Sequence, residues 1–163
     1  MEIDLKTPAR PEDVLAFVGA ILAGESNLNA NLANIVAVLN QYLPRINWVG
    51  FYLLEAHSKD WVLGPFAGKP ACTRISPSRG VVGKALQNRQ ALVVDDVREF
   101  PDHIACDPDS RAEVVVPVVV EDRVVAGLDV DSPYLKRFGP EDVTLLEAVC
   151  GQLADSWPYA HWY

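Results

Sequence analysis

EVVVPVVV at Glu113–Val120, the dipeptide Glu121-Asp122, and RVVAGLDVD at Arg123–Asp131 form the stretch on which the fold turns. Valine dominates both halves, and β-branched side chains favour an extended, pleated backbone. Two such runs across a short acidic break predict an antiparallel hairpin. Side chains alternate along a strand, so Leu128 and Val130 share the face turned to the core while Gly127, Asp129 and Asp131 share the other. Two carboxylates then project together. On pattern alone the plainer reading, a strand ending at a solvated turn before Ser132-Pro133, is favoured over a ligand site.

Working outward, Ile46–Glu55 is a second run of strand formers, with Trp48, Gly50, Tyr52 and Leu54 on one face and Asn47, Val49, Phe51 and Leu53 on the other. Trp61–Phe66 is its hairpin partner across His57-Ser58-Lys59-Asp60, and Ala91–Val94 is a further short strand. If the strands holding Gly50 and Gly127 are neighbours, the glycines leave a hollow walled by aromatic rings. Gly80–Asn88 predicts a short helix.

At the two ends the period changes to that of a helix. Val14, Phe17, Val18, Ile21 and Leu22 follow Pro11, and Leu32, Ile35, Val36 and Leu39 precede Pro44. Val143, Leu146, Val149, Cys150 and Leu153 form a last apolar stripe. Residues 95–110, with Pro101, Pro108 and a run of aspartates, read as a long loop of the kind that carries function. The expectation is an α+β fold: an antiparallel sheet with N- and C-terminal helices on one face and site-forming loops on the other. Its 163 residues suit a single domain, with a core over 10–154 and an aromatic tail over 155–163 that packs on the domain or into a partner subunit.

Composition excludes several functions. The net charge of -8 argues against a surface that tracks nucleic-acid phosphates. No apolar run approaches the ~20 residues that span a bilayer, and Met1-Glu2-Ile3-Asp4 lacks the basic and apolar segments of a signal peptide, so the chain is expected in the cytosol without membrane contact. The three cysteines are too far apart for a zinc knuckle, and the scattered His57, His103 and His161 give no HExxH pair, so no metal is expected. Gly64–Lys69 lacks the spacing and the Ser or Thr of a phosphate-binding loop, and the offsets around Asp129 do not match a calcium loop.

Cys150 falls on the apolar stripe and reads as core. Cys72 and Cys106 lie in loops, where a thiol is either reactive or merely a surface residue. His103, close to Cys106, is a possible local base. A pair of carboxylates beside aromatic walls suits a ligand with an ammonium group and a short apolar arm, such as a free amino acid.

NWVGFYLL (Asn47–Leu54), LGPFAGKPACTRI (Leu63–Ile75), DVREFPDHIACDPDSRAEVVVPV (Asp96–Val118) and LDVDSP (Leu128–Pro133) together resemble the free methionine-R-sulfoxide reductases, which are stand-alone GAF domains. The likeness runs in order from about residue 10 to 154. It implies that Cys106 is the nucleophile and Cys72 the resolving thiol. It likewise implies that Glu113, Asp129 and Asp131 are the acidic set, acting in catalysis and in substrate binding, and that Trp48 and Tyr52 are the aromatic walls. No bound cofactor is implied. Electrons come from thioredoxin or another dithiol, and the assembly is a homodimer. Val82 stands where the family often has a further cysteine, which leaves Cys72 as the resolving thiol.

On that resemblance a Cys106 thiolate attacks the sulfoxide sulfur, an acid of the cluster protonates the oxygen, and the resulting sulfenic acid condenses with Cys72 on loops expected to be mobile. Two tensions follow. Asp102, Asp107 and Asp109 disfavour a thiolate at Cys106 unless Arg111, His103 or the substrate's ammonium offsets them. And if Glu121-Asp122 is an ordinary two-residue turn, Glu113 pairs with Val130 and points away from Asp129 and Asp131, so the three acids meet only if the hairpin has an odd loop or one extra residue, for which Pro117 is a natural place. The alternatives are a non-catalytic GAF sensor for an amino-acid-like ligand and a reductase acting on peptides.

Overall fold

A computed structural model describes residues 10–158. Helix α1 (Pro11–Gly24) begins with proline, whose missing N–H is no loss in a first turn, and α2 (Leu28–Tyr42) is capped by Asn27, which accepts from the Ala30 amide at 3.0 Å. Strands β1 (Trp48–Leu54), β2 (Trp61–Gly68) and β3 (Arg74–Ile75) follow, then α3 (Gly80–Asn88), β4 (Leu92–Val94), β5 (Ala112–Val120), β6 (Arg123–Ser132) and α4 (Pro140–Asp155). The expected α+β arrangement is present, with two-residue β3 an addition too short to leave a pattern.

All six strands form one antiparallel sheet in the order β3-β2-β1-β6-β5-β4. Pairing of β1 with β6 puts the sequence-distant Trp48 and Asp131 side by side in the centre. One sheet face, carrying Val49, Phe51, Val114, Val116, Leu128 and Val130, packs with α1, α2 and α4 into the larger core. Cys150 is buried there at 3% exposure, as its stripe predicts. Trp157 is buried in the same core; the rest of the aromatic tail, Tyr159, Trp162 and Tyr163, lies outside the described residues, as does His161.

The opposite face is not left to loops alone. Helix α3 packs Val81, Val82, Ala85 and Leu86 onto it with Tyr52 and Val115 in a second, smaller core. Loop 95–110 includes a single 3-10 turn at Val97–Glu99, and Val97 anchors it in this core. None of the described helices is long and apolar enough to cross a membrane.

The hairpin resolves the register question. Glu121 and Asp122 both have positive φ, 47° and 62°, and form a two-residue turn that pairs Val120 with Arg123 and Val119 with Val124. The register then slips: Val118 pairs with Ala126, and from there Glu113 reaches Asp131. The extra residue is Val125 on β6, not Pro117, which pairs normally with Gly127. Proline's lack of an N–H did not select the bulge. Val125 and Ala126, consecutive residues, both enter the larger core, so the bulge lets two neighbours bury on one side where strict alternation would expose one.

Candidate active site

Three adjacent strands build the floor of the site. Glu113 on β5 stands opposite Asp131 on β6, which stands opposite Trp48 on β1; in the next row Val115, Asp129 and Gly50 align. Glu113 and Asp129 are buried at 5% and 6% exposure, and Asp131 sits at the rim. Each offers a carboxylate oxygen, and these oxygens lie within 4.8 Å of one another.

Burial holds the carboxyls of all three well above the usual range, and mutual repulsion adds to it: Asp131 acts on Glu113, Glu113 on Asp129, and Asp129 on Asp131. Burial and like charge at close range thus both favour the protonated forms of these carboxyls. One oxygen of Asp129, Oδ1, is buried without a protein partner. Three oxygen acceptors match the three N–H bonds of an ammonium group, whereas calcium takes ~6–8 oxygens and would need several more ligands.

The glycines do not leave a hollow. The indole of Trp48 lies over Gly50, so a Cβ at Gly50 would come within 2.6 Å of that ring and 2.5 Å of the Phe66 Cβ; a Cβ at Gly127 would meet Leu86 at 2.8 Å. The space that they create is filled by the aromatic wall itself and by α3. Trp48 stacks between Tyr52 and Phe66, with ring centroids 6.0 and 5.5 Å away. The polar tips of the two predicted aromatics hold the neighbouring loop: Trp48 Nε1 donates to the Lys69 carbonyl at 3.1 Å, and the Tyr52 hydroxyl donates to the Cys72 carbonyl at 3.0 Å. Gly68, at φ 137°, lets the chain turn away under the indole, where a Cβ would strike both Trp48 and the Asn47 carbonyl.

Cys72 and Cys106 are joined in a disulfide with their Cα atoms 5.8 Å apart. Cys106 borders the same cleft as Trp48, Tyr52, Glu113, Asp129 and Asp131, a space of about 540 Å³ counting its open mouth. All seven site residues read from the sequence therefore meet in one place. Val82 lines the cleft from α3 and is buried.

Sequence reasoning missed the groups that balance charge around Cys106. Lys69 Nζ reaches Asp109 at 2.7 Å and Asp107 at 3.4 Å. Asp107 also accepts from Asn47 at 3.1 Å, and the backbone amide of Asp109, with these partners, holds its carboxyl below the usual range. Arg111 instead pairs with Asp96 at 3.2 Å. Lys69 thus supplies the offset that the aspartates beside Cys106 demand and clasps the two cysteine loops together. It stands in the quoted segment GKPACTRI, but nothing in a linear sequence says which anion a lysine will meet. His103 points into the cleft, with Nε2 3.4 Å from Glu113 Oε2.

Comparison with known proteins places this architecture. A model of the GAF domain matches residues 27–157. The free methionine-R-sulfoxide reductase of Escherichia coli (strain K12) is 46% identical over 134 residues, 82% of this chain and 80% of that one. An X-ray structure of the free methionine-R-sulfoxide reductase from Neisseria meningitidis in complex with its substrate superposes with a TM-score of 0.91 at 38% identity, covering 96% of both chains. The reduced form of the Staphylococcus aureus fRMsr gives 0.87 at 39% identity, over 93% of this chain and 97% of the other.

Proposed function

This chain belongs to the free methionine-R-sulfoxide reductases of the GAF domain family, and from that premise we propose that it reduces free methionine-R-sulfoxide to methionine through Cys106 and Cys72. It is an oxidoreductase. The observation that carries the detailed reading is the Cys72–Cys106 disulfide standing at the mouth of a buried three-carboxyl pocket.

Glu113, Asp129 and Asp131 receive the substrate ammonium, and Trp48 and Tyr52 cover the thioether arm. The Cys106 thiolate attacks the sulfoxide sulfur, a protonated carboxyl of the cluster donates to the sulfoxide oxygen, and the S–O bond breaks. Oxygen passes to Cys106 as a sulfenic acid while the newly formed bond between the two sulfurs breaks and methionine leaves with that electron pair, so the substrate sulfur is reduced and the cysteine sulfur oxidised by the same two electrons. The Cys72 thiol then displaces water from the sulfenic acid, giving the disulfide. A dithiol of the thioredoxin kind returns both sulfurs to thiols. Residues 1–163 act as one catalytic domain with its core at 10–154, and the family points to a homodimer in the reducing cytosol.

The pocket argues for a free amino acid over a peptide, since a peptide-bound methionine has no ammonium to meet three buried acids. A sensor domain would have no need of two cysteines brought together at its ligand site. The deciding assay is methionine release from free methionine-R-sulfoxide, the S epimer and a blocked peptide, with dithiothreitol present. Release from the R epimer alone is expected; equal release from all three, or none, overturns the reading.

A further inference from the structure

The reduction just described has a proton cycle that the cysteines and the acid cluster do not close by themselves. Cys106 must lose a proton to become a nucleophile, and the carboxyl that protonates the sulfoxide oxygen must regain one. The two ends of this cycle lie on different elements, Cys106 on the loop before β5 and Glu113 on β5 itself. His103 touches one of them and shares the loop and the cleft of the other. It lies three residues before Cys106 on the same loop, lines the same cleft, and brings Nε2 to 3.4 Å from Glu113 Oε2.

The loop is shaped to hold it there. The His103 amide bonds to the Phe100 carbonyl at 3.3 Å, closing a turn that ends at His103, and the Cys106 amide bonds to the Ile104 carbonyl at 3.0 Å, closing a second turn that ends at Cys106. Phe100 and Ile104 pack against the smaller core and anchor those turns. The His103 side chain is 15% exposed and that of Glu113 is 7% exposed, so water has little access to the contact.

The other ionisable groups around the cleft are unsuited to the task. Lys69 is engaged by Asp107 and Asp109, and Asp107 is held as a carboxylate by its own hydrogen bonds. The Tyr52 hydroxyl donates to the Cys72 carbonyl and has its pKa raised by burial and by the three acids. Arg79 has a guanidinium that does not give up a proton in proteins. Asp129 and Asp131 are members of the acid cluster being recharged. An imidazole is the side chain that both accepts and returns a proton near neutral pH.

We propose, building on the reductase reading above, that His103 is a positioning and proton-transfer residue that takes up the proton released by Cys106 and delivers it to Glu113. Burial lowers the His103 pKa, so the ring rests neutral and able to accept. As Cys106 bonds to the substrate sulfur, the cluster hands a proton to the sulfoxide oxygen and Glu113 is left as a carboxylate. The imidazolium beside it passes its proton across, restoring neutral histidine and protonated Glu113. No proton is gained or lost over this half-reaction: the thiol proton ends in the cluster and the cluster proton ends on the sulfenic acid. The contact also singles out Glu113 as the member of the acid cluster through which protons enter.

The test is single-turnover methionine formation by pre-reduced protein across the neutral pH range, in the wild-type protein and in His103→Ala and His103→Gln variants. Loss of proton transfer should slow the His103→Ala step by about 10²-fold, with the substrate concentration giving half-maximal rate nearly unchanged. The acid limb of the pH profile should disappear, and added imidazole should restore part of the rate. His103→Gln keeps a hydrogen-bond donor toward Glu113 but cannot shuttle a proton, and it should be as slow as His103→Ala. A wild-type rate and pH profile in His103→Ala, or full rescue by glutamine, overturns the proposal while leaving the reductase reading intact. If the wild-type protein itself forms no methionine, the reductase reading falls and this proposal with it.

Discussion

Glu113 faces Asp131 directly across the β5–β6 ladder, and it does so because β6 carries one residue more than β5 between that pair and the turn. In an unbulged hairpin of the same sequence Glu113 would oppose Val130 and join the large apolar core, where a lone carboxyl has no partner. The bulge at Val125 therefore acts some distance from itself, as it decides which side of the sheet Glu113 occupies.

Crowding three buried acids should contribute stability at acidic pH that is lost as pH rises. Their folded pKa values are raised, so between the unfolded value near ~4 and the folded value the native state binds more protons than the unfolded chain, and stability falls as pH rises. Glu113→Gln should flatten that decline. Its melting temperature should match the wild type at acidic pH and exceed it at neutral pH by roughly 2–4 °C for each kcal/mol of strain relieved. Thermal melts of both proteins across this range check the sign; a difference in melting temperature that does not grow from acidic to neutral pH contradicts it.

The two loop cysteines should separate the reaction into halves. Cys106→Ser is expected to reduce methionine-R-sulfoxide at background rate. Cys72→Ser, reduced and then freed of thiol, should form about one methionine per chain and stop with Cys106 as a sulfenic acid. Dimedone labelling followed by peptide mass spectrometry detects that species, and label on a residue other than Cys106 would contradict the assignment. Cys150, fully enclosed and with its thiol pKa pushed up by burial, should resist alkylation until the protein unfolds.

Lys69 should matter to the reactivity of Cys106 through the aspartates that it pairs with. Lys69→Met removes the cation beside Asp107 and Asp109, so the Cys106 thiol of reduced protein should be harder to ionise. Iodoacetamide should alkylate Cys106 several-fold more slowly at neutral pH, with the difference closing at alkaline pH. Bound methionine should accelerate the wild-type reaction if its ammonium enters the same cleft as proposed; equal rates with and without it would show that the ligand does not help generate the thiolate.

Gly50→Ala should damage the aromatic wall. The new methyl would stand 2.6 Å from the Trp48 indole and 2.5 Å from the Phe66 Cβ, contacts that require the ring stack to shift. Overpacking of this kind costs about 1–3 kcal/mol, and substrate affinity should weaken with it. Denaturant melts and tryptophan fluorescence report both effects; unchanged stability would mean that the stack is looser than its geometry indicates.

Much of this protein is determined by sequence alone, for reasons of local chemistry. Apolar residues at helical spacing in 14–39 and 143–153 permit one buried stripe per helix, and the β-branched runs at 113–131 permit little except strands. Alternation along β6 puts Asp129 and Asp131 on one face whatever surrounds them. The motifs around Cys72 and Cys106 carry the family likeness, and with it the list of site residues.

Tertiary structure decided what those residues do to one another. Two strands that never meet in sequence bring Trp48 beside Asp131, and a single bulge brings Glu113 to the same row. The filling of the space over Gly50 by Trp48, the clasp of Lys69 on Asp107, and the contact of His103 with Glu113 join residues 2, 38 and 10 positions apart. Side-chain type fixes which bonds a residue can make; register and loop path fix which partner is within reach, because hydrogen bonds and ion pairs act over only a few ångströms.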